Sequence, residues 1–291
     1  MNMGSAYSVC IRFSGLTFRF TFPHYIDLSE EFTDLLCEDC HHPDEDVEIR
    51  LITEPLRPKA EPIKTHPSVI VYPTEGGELR VYPALTADDG CQVAFLLRSD
   101  RNNILYYPAS RWEFFSSPLR LYHLIAGEQL LLRHNAFLLH SSVVKCQGKT
   151  LLFSGPSGAG KSTQADLWAK YAGAEVLNGD RCVVMKRDGT FLGGGSPWCG
   201  TSGIRKKDQA PIAGVFLVNQ STENSVVPLG IEAFTPLFSQ ITLNSWDVDF
   251  MSEVSQMLAD LITEVPVCRL NCRPDSEAVK TVYNFLFGRD V

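Results

Sequence analysis

Apolar and polar side chains alternate through Val9-Cys-Ile-Arg-Phe13 and again through Leu16-Thr-Phe-Arg-Phe-Thr-Phe22, the period-two pattern of strands with one buried face. Residues 47–53, 68–72, 78–82, 91–97 and 103–107 add further strand candidates. Pro55, Pro58, Pro62, Pro67 and the Gly76-Gly77 pair punctuate them. Leu28–Cys37 is the one good helix candidate in this region. Residues 1–118 therefore predict a β-rich module, and no catalytic constellation stands out in it.

The pattern then changes. Pro118–Leu132 predicts a leucine-rich helix, and residues 119–291 predict a second domain in which strands and helices mix. Residues 136–145 and 150–154 read as strands around a Gln147-Gly148 turn. A helix over 163–171 follows, with Leu167, Trp168 and Tyr171 on one stripe. Short strands are expected at 174–181, ending in an acid, and at 182–186 and 190–192, the last two joined by an Asp188-Gly189 turn. A glycine-rich loop spans 193–203, and 212–218 is an apolar run of buried-strand type. Helices at 230–240, 250–262 and 276–287 and a strand at 267–270 complete the expected α/β fold.

Composition narrows the function classes. The formal charge of −8 argues against nonspecific binding to nucleic acid or anionic membranes. No apolar stretch reaches the roughly 18 residues of a membrane span. The first residues lack the basic-then-apolar pattern of a secretory signal, so a cytoplasmic protein is the expectation. Nine cysteines then point to reduced thiols rather than a disulfide framework. Cys37, Cys40, His41 and His42 have metal-ligand residue types at close spacing, with a solvated helix end as the simpler reading.

The candidate chemistry sits at Gly155-Pro156-Ser157-Gly158-Ala159-Gly160-Lys161-Ser162, followed by Thr163. This is G-x-x-x-x-G-K-[ST] between a predicted strand and a predicted helix, the phosphate-binding loop in its proper setting. Glycines let successive N–H groups converge on phosphate oxygens, and the helix N-terminus adds partial positive charge. Lys161 would reach the β- and γ-phosphates, and the Ser162 hydroxyl would ligate Mg²⁺. Asp180, ending the strand after that helix, is the best second metal ligand. No acid ends the 214–219 strand, and no guanine-reading N/T-K-x-D or L-S-G-G-Q stretch follows, which argues against G proteins and transporter ATPases. His140 is a candidate base or charge stabiliser, with a hydrogen-bonded core histidine as the alternative. Arg181 and Arg205-Lys206-Lys207 are candidates for stabilising transferred charge or docking an anion, against an ion pair and a solvated patch. Trp198 and Cys199 sit in a loop that can serve either as a lid or as packing.

Taken together, the loop at 155–162, Leu138-Leu-His140-Ser-Ser on the strand before it, Asn178-Gly-Asp180-Arg181, and the strand–turn–strand of 137–154 resemble the HPr kinase/phosphorylase family and, distantly, phosphoenolpyruvate carboxykinases. Gly195-Ser-Pro-Trp-Cys-Gly200 and 265–270 are similar to bacterial HPr-kinase-like proteins, some associated with peptide modification. The resemblance covers 119–291 and implies a P-loop kinase core of the HPr kinase C-terminal type, preceded by the β-rich module as a substrate-recognition element. It implies ATP and Mg²⁺ as cofactors. It also implies catalytic roles for His140, Lys161 and Asp180, beside which Arg181 is the candidate charge stabiliser, a protein or peptide hydroxyl as acceptor, and homo-oligomers. This chain departs from the family at Gly179, where a second acid is expected, and lacks its Glu-Ile-Arg-Gly-Leu-Gly stretch. A serine kinase, a kinase for a small hydroxylated metabolite and a non-catalytic ATP-binding scaffold thus all stand as readings, with carboxykinase-like decarboxylation more remote.

Overall fold

The computed structural model describes residues 6–27, 30–38, 41–114, 121–122 and 124–288. It is a strand-rich mixed α/β protein with two mixed sheets. Met1–Arg12 with Leu16–Leu130 forms one compact unit, and Phe13–Gly15 with Leu131–Val291 a second.

The first unit contains an eight-stranded sheet. Its strands are β1 (Tyr7–Phe13), β2 (Leu16–Phe22), β3 (Glu45–Ile52), β4 (Lys64–His66), β5 (Val69–Thr74), β6 (Gly77–Thr86), β7 (Gln92–Arg98) and β8 (Asn102–Pro108). They run in the order β1-β2-β3-β8-β7-β6-β5-β4. The pairs β2–β3 and β3–β8 are parallel, and β8 through β4 are antiparallel. The alternation read from the sequence is the burial pattern observed: Phe18, Phe20 and Phe22 are buried, while Arg19 and Thr21 are half-exposed. The helix expected at 28–37 is shorter, α1 being Glu30–Thr33, and Leu28 and Ser29 lie outside the described residues. The short edge strand β4 had no sequence signal, since Lys64-Thr-His66 offers no apolar alternation.

The helix α2 (Gly127–Arg133), within which the division into units falls, occupies the end of the helix expected over 118–132, of which 118–120 and 123 lie outside the described residues. The elements that follow belong to the second unit. Then come β9 (Ala136–Cys146), β10 (Lys149–Ser154), α3 (Lys161–Ala172), β11 (Glu175–Asn178), β12 (Arg181–Arg187), β13 (Thr190–Gly194), β14 (Gln209–Gln220) and β15 (Ser225–Leu229). The chain closes with α4 (Phe234–Phe238), α5 (Val248–Glu264), β16 (Val267–Cys272) and α6 (Ser276–Phe287). The expected helix at 230–240 is a 3₁₀ turn, Ile231–Ala233, followed by the single α-turn of α4. Pro236 lacks the N–H that a longer helix would need.

Strand order is β10-β9-β12-β13-β14-β16-β15, with β11 on β9 and a second pairing of β10 to β14. The strands β10, β14 and β16 are mutually parallel, so their C-terminal ends lie together. Every residue of Thr150–Ser154 is buried because β10 is covered on both faces. Leu151 and Phe153 pack with Trp168 of α3 and Val282 of α6, and Leu152 packs with Phe250, Val254 and Leu258 of α5. Asp247 caps α5 and Asp275 caps α6 through bonds to the Phe250 and Ala278 N–H groups. By contrast, α3 begins at Gly160 with no side-chain cap.

The β9–β10 and β12–β13 hairpins turn at Gln147-Gly148 and Asp188-Gly189, all four residues at positive φ. That is the type I′ geometry whose twist matches the strands. Cys10 is disulfide-bonded, so one cysteine stands apart from the expected reduced thiols. Cys37, Cys91, Cys146, Cys182, Cys199, Cys268 and Cys272 are free. No helix among the described residues is long and apolar enough to cross a membrane.

Candidate functional site

The loop 155–160 leaves the end of β10 and enters α3 at Lys161. Gly158 and Gly160 take φ of 80° and 106°, values that L side chains resist, so glycine is needed for this path. Lys161 is nearly buried, and its Nζ donates to the Gly155 and Pro156 carbonyls at 2.9 and 3.0 Å. The ammonium is thus folded over the loop. Ser142 Oγ donates to the Lys161 carbonyl at 2.8 Å, fixing the helix start to β9. With no side chain capping α3, its first N–H groups and dipole are open to an anion, and the Lys161 charge sits beside them.

Across from this helix start stands a second group. Register places His140 of β9 opposite Arg181 of β12, and Ser141 N–H donates to the Asp180 carbonyl at 3.0 Å. His140 Nε2 lies 3.3 Å from Asp180 Oδ1, and Arg181 Nε lies 3.5 Å from Asp180 Oδ2. Arg181 Nη1 also donates to Thr242 Oγ1 at 2.7 Å. Ser162 Oγ donates to the Gly179 carbonyl at 3.4 Å, joining the two groups. The exposed Ser162 hydroxyl and the Asp180 carboxylate, about one-third exposed, are the oxygens that can hold Mg²⁺.

The charges act on one another. Burial, and then the Lys161 ammonium, lower the His140 pKa below its ordinary value, while Asp180 opposes them. Burial also lowers the Lys161 pKa, again against the attraction of Asp180. An imidazole held neutral beside a carboxylate is suited to accept a proton.

Asn178 organises this region. Fully buried, its Oδ1 accepts from the Asp180 and Arg181 N–H groups, and its Nδ2 donates to the Ser196 and Trp198 carbonyls. The Asn-Gly-Asp run is the signal that could have identified it, as an Asx-type turn. Thr242, and Gln240 whose carbonyl accepts from His140 N–H, come from a distant segment and left no sequence signal.

The glycine-rich loop packs directly on this strand end. Trp198 and Cys199 are buried, and Gly200 lies against Asp180: a Cβ there would stand 2.9 Å from that of Asp180. A side chain at Gly179 would run into Ser202. Arg205 reaches Cys199 Sγ at 3.0 Å, and Lys206 and Lys207 are exposed. Elsewhere, Cys37 is half-buried, His41 and His42 are exposed, and Cys40 lies outside the described residues. No group of three His, Cys, Asp or Glu side chains that could hold a metal is gathered among the described residues.

No family model and no curated protein matches the chain. Among solved structures, the HPr(Ser) kinase/phosphatase from Coxiella burnetii is similar over 52% of this chain and 93% of its own, at 9% identity and a TM-score of 0.30.

Proposed function

We propose that residues 131–291 form an ATP- and Mg²⁺-dependent phosphotransferase that moves the γ-phosphate to a hydroxyl acceptor, a serine or threonine of a protein or peptide. One observation carries this reading: Lys161 and Ser162 open an uncapped helix beside the His140–Asp180–Arg181 group. Phosphoryl transfer asks a protein mainly for positioning and charge neutralisation, and these residues offer both.

In this reading the loop N–H groups and Lys161, exchanging the Gly155 and Pro156 carbonyls for phosphate oxygens, hold the nucleotide. Ser162 and Asp180 hold Mg²⁺. The bound ion supplies neutralisation of the phosphate charge and orients the transferred group. The His140 imidazole takes the acceptor's hydroxyl proton, which frees Asp180 from serving as metal ligand and base together. Arg181, steadied by Thr242, offsets charge on the moving phosphoryl group.

A second reading, an ATP-binding scaffold without transfer, is favoured by Gly179, where Ser202 leaves no room for the second carboxylate of the resembled kinases. A small hydroxylated metabolite is the alternative acceptor. The test is transfer of label from γ-labelled ATP into an extract of the host. Wild type should label a discrete acceptor, and Lys161→Met, Asp180→Asn and His140→Ala should each lose at least about 100-fold in rate. ATP binding with no transfer by wild type would favour the scaffold.

A further inference from the structure

Behind the loop, away from His140 and Asp180, lies a cavity of about 310 Å³ that the phosphotransferase reading leaves unused. It opens at the C-terminal ends of the parallel strands β14 and β16, where α/β sheets receive ligands. Ala159, Gly160, Val218, Cys272 and Pro274 line it together with the polar side chains of Thr163, Gln164, Gln220, Ser221 and Arg273. Ala159 and Gly160 belong to the 155–160 loop itself, so one ligand can place phosphates in the loop and its other end in the cavity. The apolar faces of Ala159, Val218 and Pro274 can flank a flat aromatic ring, and the polar side chains around them can fix its orientation.

One lining residue has an unmet need. Gln164, on the first turn of α3, is 98% buried by its 2% exposure. Its Nε2 donates to Cys272 Sγ at 3.2 Å, and its Oε1 has no hydrogen-bond partner. A buried amide oxygen left unpaired costs on the order of 1–3 kcal/mol in general, so a ligand donor that reaches it gains accordingly.

We infer that this cavity is the base subsite of the nucleotide and that Gln164 Oε1 selects adenine by accepting from its exocyclic amino group. The inference rests on the reading that the 155–162 loop holds the nucleotide's phosphates, and the experiment separates the two. Binding of ATP, purine riboside triphosphate (which lacks only the amino group) and inorganic tripolyphosphate is measured with Mg²⁺ by calorimetry. The variants are Gln164→Met, which removes the acceptor at similar volume, and Ser221→Trp, which fills the mouth from a partly exposed position.

Wild type should bind ATP at least about tenfold tighter than tripolyphosphate, and about fivefold to tenfold tighter than purine riboside triphosphate. Gln164→Met should erase the second ratio and Ser221→Trp the first. If Gln164→Met fails to fold, Ser221→Trp and the wild-type ratios still decide. Tripolyphosphate binding as tightly as ATP, or discrimination surviving in Gln164→Met, would overturn the base subsite and leave the phosphate loop standing. Absence of binding by all three ligands would instead remove the phosphate loop, and the subsite with it.

Discussion

At the scale of the residue, the account turns on how a few side chains alter one another. His140 is held neutral by burial and by Lys161, so in the metal-free protein its imidazole should titrate below the ordinary value of about 6.5. Proton binding is then weaker in the folded than in the unfolded chain. This contribution to stability is complete above that value and is lost as the pH falls below it. Proton NMR of the imidazole should show the lowered midpoint, and Lys161→Met should move it back upward; a midpoint above 6.5 in wild type would contradict the assignment. A second residue-scale expectation concerns Cys182, whose thiol burial pushes up to about 12. It should resist alkylation at pH 8 in the native protein and react only after unfolding, as mass mapping of labelled peptides would reveal.

Elements show which parts of the fold the sequence could disclose. The turn at Asp188-Gly189 was legible because type I′ geometry demands positive φ at both residues. Gly189 has φ 73° and open space around it, so Gly189→Ala should cost about 1 kcal/mol through backbone strain alone. Urea unfolding would measure it, and an unchanged midpoint would show that the turn relaxes. β10 was legible because a run buried on both faces has few alternative forms; α3 was legible from the glycine loop that opens it, whereas of its expected stripe Trp168 is buried, Leu167 half-buried and Tyr171 exposed. β4 and β15 were not, since short edge strands gain their pairing from neighbours rather than from their own pattern. The site divides along the same line. Lys161, Ser162, Asp180 and His140 stood in motifs, whereas Thr242 reaches Arg181 across 61 positions of chain, a contact that only the folded sheet creates.

For the whole molecule, the elements to which chemistry is assigned in the proposed function gather in the second unit, at the C-terminal ends of β10, β14 and β16 and the start of α3. The first unit is a sheet of eight strands whose proposed part is recognition of the acceptor. A net charge of −8 fits a protein, peptide or metabolite acceptor better than a polyanion. The central claim is transfer to a serine or threonine hydroxyl. The measurement that tests it most directly is mass spectrometry of host extract incubated with this protein, Mg²⁺ and γ-¹⁸O-labelled ATP. The account predicts heavy phosphate on a serine or threonine of one protein or peptide, absent with Asp180→Asn. Heavy phosphate confined to a small metabolite or to inorganic phosphate, or none released from ATP, would contradict it.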